Sequence, residues 1–495
     1  MPSSDILVLG GGTSGLACAT RLAQAGKKVT LIESGADCGG GALGWEFAPG
    51  FRTPGLAHVL HMLDPRVARA MDLARHGLIL GPGLATMVHG TGGATDPETH
   101  PDWQALRGKL GRYATALASI REQVPPRLAR KAGNDLLALA KTGLGLRRLG
   151  ADDFREFLRL FLINVWDVAE EELTDPRLRG LLCFDATLGA WAGPRSPNTL
   201  ALYLNQLAGM GALHLSPGGM GSVAGAMTLA VTAAGVTIRT DTRVARILVE
   251  GDRAIGVETA AGERISAGQV ISALNPKTTL LDLLGHRHLD TGMASALTTQ
   301  KSRGAAARLN IALSALPGGI DARARHVIAP SGDAVEAAFN PVKYGEVPDA
   351  PVMEVLFPSA HSPGFAPETN ATLSAIVQFA PHDPKDRDAA RDALLDRSLA
   401  MLDTAFPGLG AQVMQAEMLM PYDIETRFGM VGGNWHHGEL SVEQMYFLRP
   451  LPALAQYRTP ISGLWLAGAG SHPGGGISGA SGWNAAGAVL KGGER

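Results

Sequence analysis

Cysteine is scarce in this chain of 495 residues: Cys18, Cys38 and Cys183 are its only thiols. Their scatter excludes a disulfide framework and a cysteine metal site, and no Cys-x-x-Cys is present for dithiol–disulfide exchange. A reducing, cytoplasmic setting is the expectation. Excess charge is missing too: 44 Lys and Arg against 46 Asp and Glu leave −2. Without a basic field, nucleic acid is not an expected partner. No apolar run reaches the ~18 residues that a membrane helix needs, and no signal peptide precedes Asp5, so a soluble or at most peripheral protein is expected. Apolar residues are plentiful, 45% against 18% charged, which rules out a disordered chain. At this length one compact core does not suffice, and two joined domains are expected. Glycine is in excess, 63 of 495 residues or about 13% against a usual ~7%. It follows no G-X-Y period, so it belongs to turns and close backbone approaches.

Residues 5–33 read DILVLGGGTSGLACATRLAQAGKKVTLIE. Ile6–Leu9 is an apolar run of strand length, and Gly10-x-Gly12-x-x-Gly15 then opens a helix whose Leu16, Ala19, Leu22 and Ala23 share a face. Gly26 ends that helix, and Val29–Ile32 makes a second buried strand ending at Glu33. Such a strand–turn–helix–strand unit binds a dinucleotide. Gly10 permits the tight turn, Gly12 admits a pyrophosphate to the backbone, and Gly15 lets helix and strand touch. The helix N-terminus, at Thr13 and Ser14, offers unpaired N–H groups and partial positive charge to phosphate. Glu33 can accept both ribose hydroxyls and repels a 2′-phosphate; Ser34 follows it.

Two more glycine-rich segments narrow the choice of dinucleotide. Cys38-Gly-Gly-Gly-Ala-Leu-Gly-Trp45 follows the ribose acid, where it either flanks the pyrophosphate and ribityl chain of FAD or forms a flexible loop. Residues 463–490 read GLWLAGAGSHPGGGISGASGWNAAGAVL: a short strand, a Gly468–Gly470 turn, and Gly474–Gly476 before a small-residue helix. That helix either presents N–H groups to the flavin edge, where negative charge gathers on reduction, or makes a close helix contact. A fingerprint at one end with a flavin-edge loop at the other is a flavoprotein plan.

On these blocks the chain resembles the FAD-dependent phytoene desaturase-like oxidoreductases, in the branch of pyridine nucleotide-disulfide oxidoreductase domain-containing protein 2. The resemblance rests also on HVLHMLDPRVARAMDLARHGL, FDATLGAWAGPRSPNTL, SPGGMGSVAGAM and FGMVGGNWHHGELSVEQMYFLRPLP, in order along most of the chain. It implies an α/β fold: a glutathione-reductase-like, Rossmann-type FAD-binding domain with an interleaved α+β substrate domain. It implies FAD, with Gly10, Gly12, Gly15 and Glu33 on the ADP half and Gly39 and Gly40 near pyrophosphate and ribityl. Gly470, Gly475, Gly476 and Ile477 would lie near the flavin. Val244 either offers its backbone to adenine or packs in a sheet. Relatives often carry Thr-Glu where Gly44-Trp45 precedes Glu46, and a His where Arg195 stands. Trp45, Glu46 and Arg195 are therefore substrate-side candidates, with packing or ion pairing as the alternative.

The expected FAD-binding domain comprises 1–75, 212–280 and 430–495, and the substrate domain 76–211 and 281–429. In the former, Val236–Arg239, Arg243–Glu250 and Ala254–Thr259 alternate like antiparallel strands around a Gly251-Asp252 hairpin. Residues 121–149 interleave Arg121, Arg127, Arg130, Lys131, Lys141, Arg147 and Arg148 with leucines, which reads as a solvated face or a peripheral membrane contact. His436 and His437, adjacent on an extended segment, point opposite ways and do not share a metal. His472 either modulates the flavin site or fixes backbone. No metal is expected. The expected activity is hydride transfer between flavin and a C–C bond of a lipophilic substrate (isoprenoid, polyene or fatty-acyl), with oxygen, quinone or NAD(P) as electron partner. A double-bond isomerase, or a flavin-stabilised binding or assembly protein, is the alternative.

Overall fold

The computed structural model describes residues 4–126, 143–145 and 147–492. Ser4–Leu9 is buried from Ile6 onward, as a strand enclosed on both faces must be. It pairs in parallel with Val29–Ile32 on one side, Leu7 opposite Thr30, and with Arg264–Ser272 on the other, Leu7 opposite Val270. The helix Thr13–Gln24 makes the crossover between the first two strands. This seven-stranded sheet runs Thr237–Arg239, Val29–Ile32, Ser4–Leu9, Arg264–Ser272, Arg253–Thr259, Val244–Glu250, and Leu464–Leu466 also pairs with Arg264–Ser272. The chain's last strand thus joins the sheet that its first strand begins.

One expectation needs correction here. Thr237–Arg239 pairs in parallel with Val29–Ile32 and not within an antiparallel set. Only Val244–Glu250 and Arg253–Thr259 form the hairpin, and Arg264–Ser272 changes from antiparallel to parallel pairing along its length. Alternation of apolar residues specifies the buried face of a strand but not its partner.

A second seven-stranded sheet runs Val413–Leu419, Ala306–Leu313, Ala371–Gln378, Val352–Leu356, Arg325–Ile328, Thr86–Gly90, Gly93–Thr95. Helix Arg387–Ala405 covers one face, its Leu394 and Leu402 packed in one cluster with Leu309, Ile311, Met353, Val355 and Leu373. On the opposite face, Val88, Val327 and Val352 pack with the helices Pro101–Arg121, Ala151–Leu162 and Pro176–Thr187.

Small residues bring the ends of the chain together. The terminal helix Ala480–Gly492 crosses Thr13–Gln24 so closely that a Cβ on Gly482 would lie 1.7 Å from the Ser14 carbonyl oxygen. Arg21 spans the same contact, donating to the Trp483 carbonyl at 2.6 Å. Of the basic stretch, residues 127–142 and 146, with Arg127, Arg130, Lys131 and Lys141, lie outside the described residues. Arg121 corrects the expectation of a surface patch: it is buried and donates to the Asn205 carbonyl and side-chain oxygens at 3.1 Å.

Candidate active site

Gly10 takes φ +94 and donates to the Ile32 carbonyl at 2.9 Å, closing the turn after the first strand. A Cβ on Gly15 would sit 1.9 Å from the Gly10 oxygen, so no other residue fits there. Gly12 differs: a Cβ on it would meet no atom of the described residues within 4 Å. Gly12 is also the N-cap of the helix, with no side-chain cap and no acid in the first turn. The first-turn N–H groups of Thr13 and Ser14 therefore keep their donors for a ligand.

The neighbouring segments converge on this turn. Gly39 pairs with Gly12 as a parallel bridge, and a Cβ on Gly40 would lie 3.5 Å from the Gly12 Cα. Glu33 accepts from the Gly11 N–H at 2.6 Å, the Gly35 N–H at 2.8 Å and the Ser34 hydroxyl at 3.1 Å. A carboxylate offers about four acceptor sites, so room remains for a ribose hydroxyl. The Thr242 N–H donates to the Glu33 carbonyl at 2.9 Å, which brings the start of the Val244 strand beside the acid. An uncapped helix start, a glycine opening onto space and an acid at the second strand's end fit the ADP half of FAD.

The other end builds a second wall. Gly468 packs on the end of Arg264–Ser272, where its Cβ would meet the Ala273 oxygen at 2.4 Å. Gly470 lies against Pro276 and the His437 carbonyl, Gly475 beside His436 Nδ1, and Gly476 against Met62 Sδ, with Cβ distances of 2.4, 3.1, 4.0 and 2.9 Å in turn. Ile477 takes φ +56. Residues 468–477 are therefore held between the Trp435–His437 loop and the segment around His61 and Met62. Among the described residues, one ring nitrogen each of His61, His437 and His472 and the hydroxyls of Ser471 and Tyr446 are buried there without a partner, a donor and acceptor set that suits the polar rim of a flavin.

Burial keeps the imidazoles neutral. It lowers His436 to about 3 and His437 to about 4, with Arg449 adding to both shifts, and lowers His61 as well. The Trp435 indole N–H donates to His436 Nε2 at 2.9 Å. His437 has φ +58, so the pair does not sit on an extended segment as the sequence suggested. Among the described residues no group of three His, Cys, Asp or Glu can hold a metal. All three thiols are buried, and burial pushes Cys18 up to about 12 and Cys38 up to about 11, which removes them from thiolate chemistry.

The substrate-side candidates separate. Trp45 donates to Glu417 Oε2 at 2.9 Å, meets Phe428 in a tilted ring contact at 5.6 Å and lies under Arg427. It shares an apolar wall with Leu56, Leu419, Ile424, Met430 and Trp435. Glu46 does not join it: its carboxylate sits on a surface hairpin, accepting from the Gly50 N–H at 3.1 Å with Arg52 at 4.0 Å. Arg195 takes the ion-pairing alternative: its half-exposed guanidinium pairs with Asp333 at 2.8 Å and lies 4.1 Å over Trp166. Each of these charged groups is satisfied by a local partner at the surface. His472 fixes backbone: its Nε2 donates to the Ile120 carbonyl at 2.9 Å, its own carbonyl accepts from Tyr457, and burial lowers it to about 3.

Sequence reasoning missed a buried polar chain reaching from this region into the second sheet. Arg308 donates to His58 Nδ1 at 2.8 Å, so His58 carries its proton on Nε2 and donates to Glu354 at 2.6 Å. Arg325 joins Glu354 and Asp185, the latter at 2.5 Å. The available signal was His58, spaced i, i+3 from His61 some fourteen residues after Gly44.

Two glycine-lined walls of this kind define a flavoprotein of the oxidoreductase class. The model described as flavin containing amine oxidoreductase matches residues 13–297, more than half of the chain, and the chain belongs to that family. It is an FAD-dependent oxidoreductase. The pyridine nucleotide-disulfide oxidoreductase domain-containing protein 2 of Rattus norvegicus is 26% identical, aligned over 99% of this chain and 94% of its own. Hydroxyneurosporene desaturase of Rhodobacter capsulatus is 28% identical over 98% of each chain. Both agree with the resemblance drawn from the glycine blocks. A crystal structure of an oxidoreductase from Methanosarcina mazei shares the fold, at TM-score 0.61 and 16% identity over 98% of this chain and 99% of that one.

Proposed function

We propose that this oxidoreductase moves a hydride between FAD and a C–C bond of a lipophilic isoprenoid, polyene or fatty-acyl substrate. One observation carries the reading: a relative named for desaturating hydroxyneurosporene aligns with this chain nearly from end to end. The apolar wall of Trp45, Leu56, Leu419, Ile424 and Met430 supports it, because Trp435 belongs both to that wall and to the histidine loop. In this reading Gly10, Gly12, Thr13, Ser14, Gly15, Glu33 and Ser34 hold the ADP half, with the Val244 backbone at the adenine. Gly39 and Gly40 flank the pyrophosphate and ribityl chain, and Gly468, Gly470, Gly475, Gly476 and Ile477 hold the flavin. The FAD unit takes 1–75, 212–280 and 430–495, and the substrate unit the two segments between them.

FAD, when bound, supplies a hydride acceptor or donor at the flavin N5. The protein's own part is to exclude water with the apolar wall and to keep His61, His436 and His437 uncharged beside the glycine segment assigned to the flavin. In the desaturating direction the substrate would give a hydride from one carbon to FAD and a proton from the next to water, forming C=C. The two electrons then pass to oxygen, quinone or NAD(P).

Anaerobic mixing of the yellow holoprotein with polyene, isoprenoid and fatty-acyl compounds tests this. Bleaching of the flavin band with a product two hydrogens lighter supports it. A product of unchanged mass with a moved double bond identifies an isomerase instead. A flavin inert to every lipid, to oxygen, to quinone and to NAD(P)H makes the chain a flavin-stabilised binding protein and ends the proposal.

A further inference from the structure

Arg449 is 2% exposed, and every hydrogen bond its guanidinium makes goes to a backbone carbonyl. Nε and one terminal nitrogen donate to the Ala469 oxygen at 3.2 and 3.0 Å, the other terminal nitrogen to Gln444 at 3.1 Å, and a short contact reaches the His436 carbonyl. No carboxylate among the described residues pairs with it. Arg325, equally enclosed, takes both Asp185 and Glu354. A buried guanidinium without a counter-charge is costly even when its donors are satisfied, and the neighbouring His436, His437 and His472 can supply none, since an imidazole is either neutral or positive; Arg449 itself helps to lower all three.

The position of this charge says what it can serve. Ala469 lies in the glycine segment assigned above to the flavin, and a Cβ on Gly474 would come 3.9 Å from Arg449 Nε. In a trans peptide the C=O and N–H point opposite ways. With the Ala469 carbonyl turned onto Arg449, the Gly470 N–H is turned away from it and polarised by it.

We propose that Arg449 is the fixed positive charge that offsets the negative charge FAD gains on reduction, acting through the Ala469–Gly470 peptide. The inference rests on the flavin lying against residues 468–477. Two-electron reduction with uptake of one proton adds one negative charge to the cofactor, and a fixed cation across one peptide unit in a low-dielectric setting favours the reduced form. Arg449 is thus a positioning and electrostatic residue that never needs to touch the substrate.

The test is the midpoint potential of bound FAD, measured during slow dithionite reduction against a dye of known potential. It is made for the wild-type holoprotein, Arg449→Lys and Arg449→Met. A potential reports the difference in binding between oxidised and reduced cofactor, so a variant that merely loosens the loop and weakens both alike does not move it. The wild type is expected above free FAD, and the lysine variant close to the wild type. The methionine variant should shift the equilibrium about tenfold or more toward oxidised flavin, about 30 mV for a two-electron couple. Equal potentials in the methionine variant and the wild type overturn the inference. So does a wild-type potential at or below free FAD, a measurement that stands even where the methionine variant does not fold. A wild-type chain that takes up no FAD overturns the cofactor placement itself, a different failure.

Discussion

Gly12 and Gly15 stand three residues apart and are glycine for different reasons. The space at Gly15 is taken by the Gly10 carbonyl, whereas among the described residues nothing lies within 4 Å of a Cβ at Gly12. Gly12→Val should therefore fold with the stability of the parent without cofactor, within about 0.5 kcal/mol as for an unpacked site, yet emerge without flavin. The ratio of absorbance at the flavin band to that of protein checks it, beside a denaturation curve. A folded variant with full occupancy refutes the placement of the pyrophosphate. At this scale the sequence was informative where residue type reports backbone need, as at Gly10, and silent where it had to report direction. Glu46 and Arg195 carry the chemistry of a substrate contact, but which way a charged side chain points depends on the Arg52 and Asp333 that fold against it.

Among the elements, the contact between Thr13–Gln24 and Ala480–Gly492 ties the two ends of the chain. Gly482→Ala places a methyl 1.7 Å from the Ser14 oxygen, so the helices must separate. Overpacking of this kind costs about 1–3 kcal/mol. A lower urea midpoint together with weaker FAD retention is the expected result, because the same helix carries the Thr13 and Ser14 donors. An unchanged midpoint shows that the crossing gives way freely. The individual strands and helices were largely legible as apolar runs bounded by glycine, as at Ile6–Leu9 and Val29–Ile32. Their pairing was not, and Thr237–Arg239 shows why. A strand's alternation is the same whether its neighbour runs with it or against it, and the neighbour here is some two hundred residues away.

For the whole molecule, the buried histidines set the response to acid. Burial lowers His58, His89 and His437 to about 4 and His436 and His472 to about 3. An unfolded chain takes up these protons near pH 6.5, the folded chain only near 3–4. The unfolded state therefore binds more protons across that window, and stability falls as pH drops from about 6.5 toward 4. Above that range these groups contribute no slope. Melting temperature measured from pH 8 to pH 4.5 should be level at first and then fall steeply, with several protons taken up on unfolding. A level profile throughout means that the imidazoles reach solvent.

By itself the sequence determined the FAD fingerprint, the acid that follows it and the glycine-rich far end, because each of these is a local demand of backbone on residue type. Only the tertiary structure decided that the far end closes on the first helix, that His58 and Arg308 meet across 250 residues, and that Arg449 is enclosed with no carboxylate partner among the described residues. Burial and pairing are properties of what surrounds a group, and those surroundings are assembled from segments that are remote along the chain.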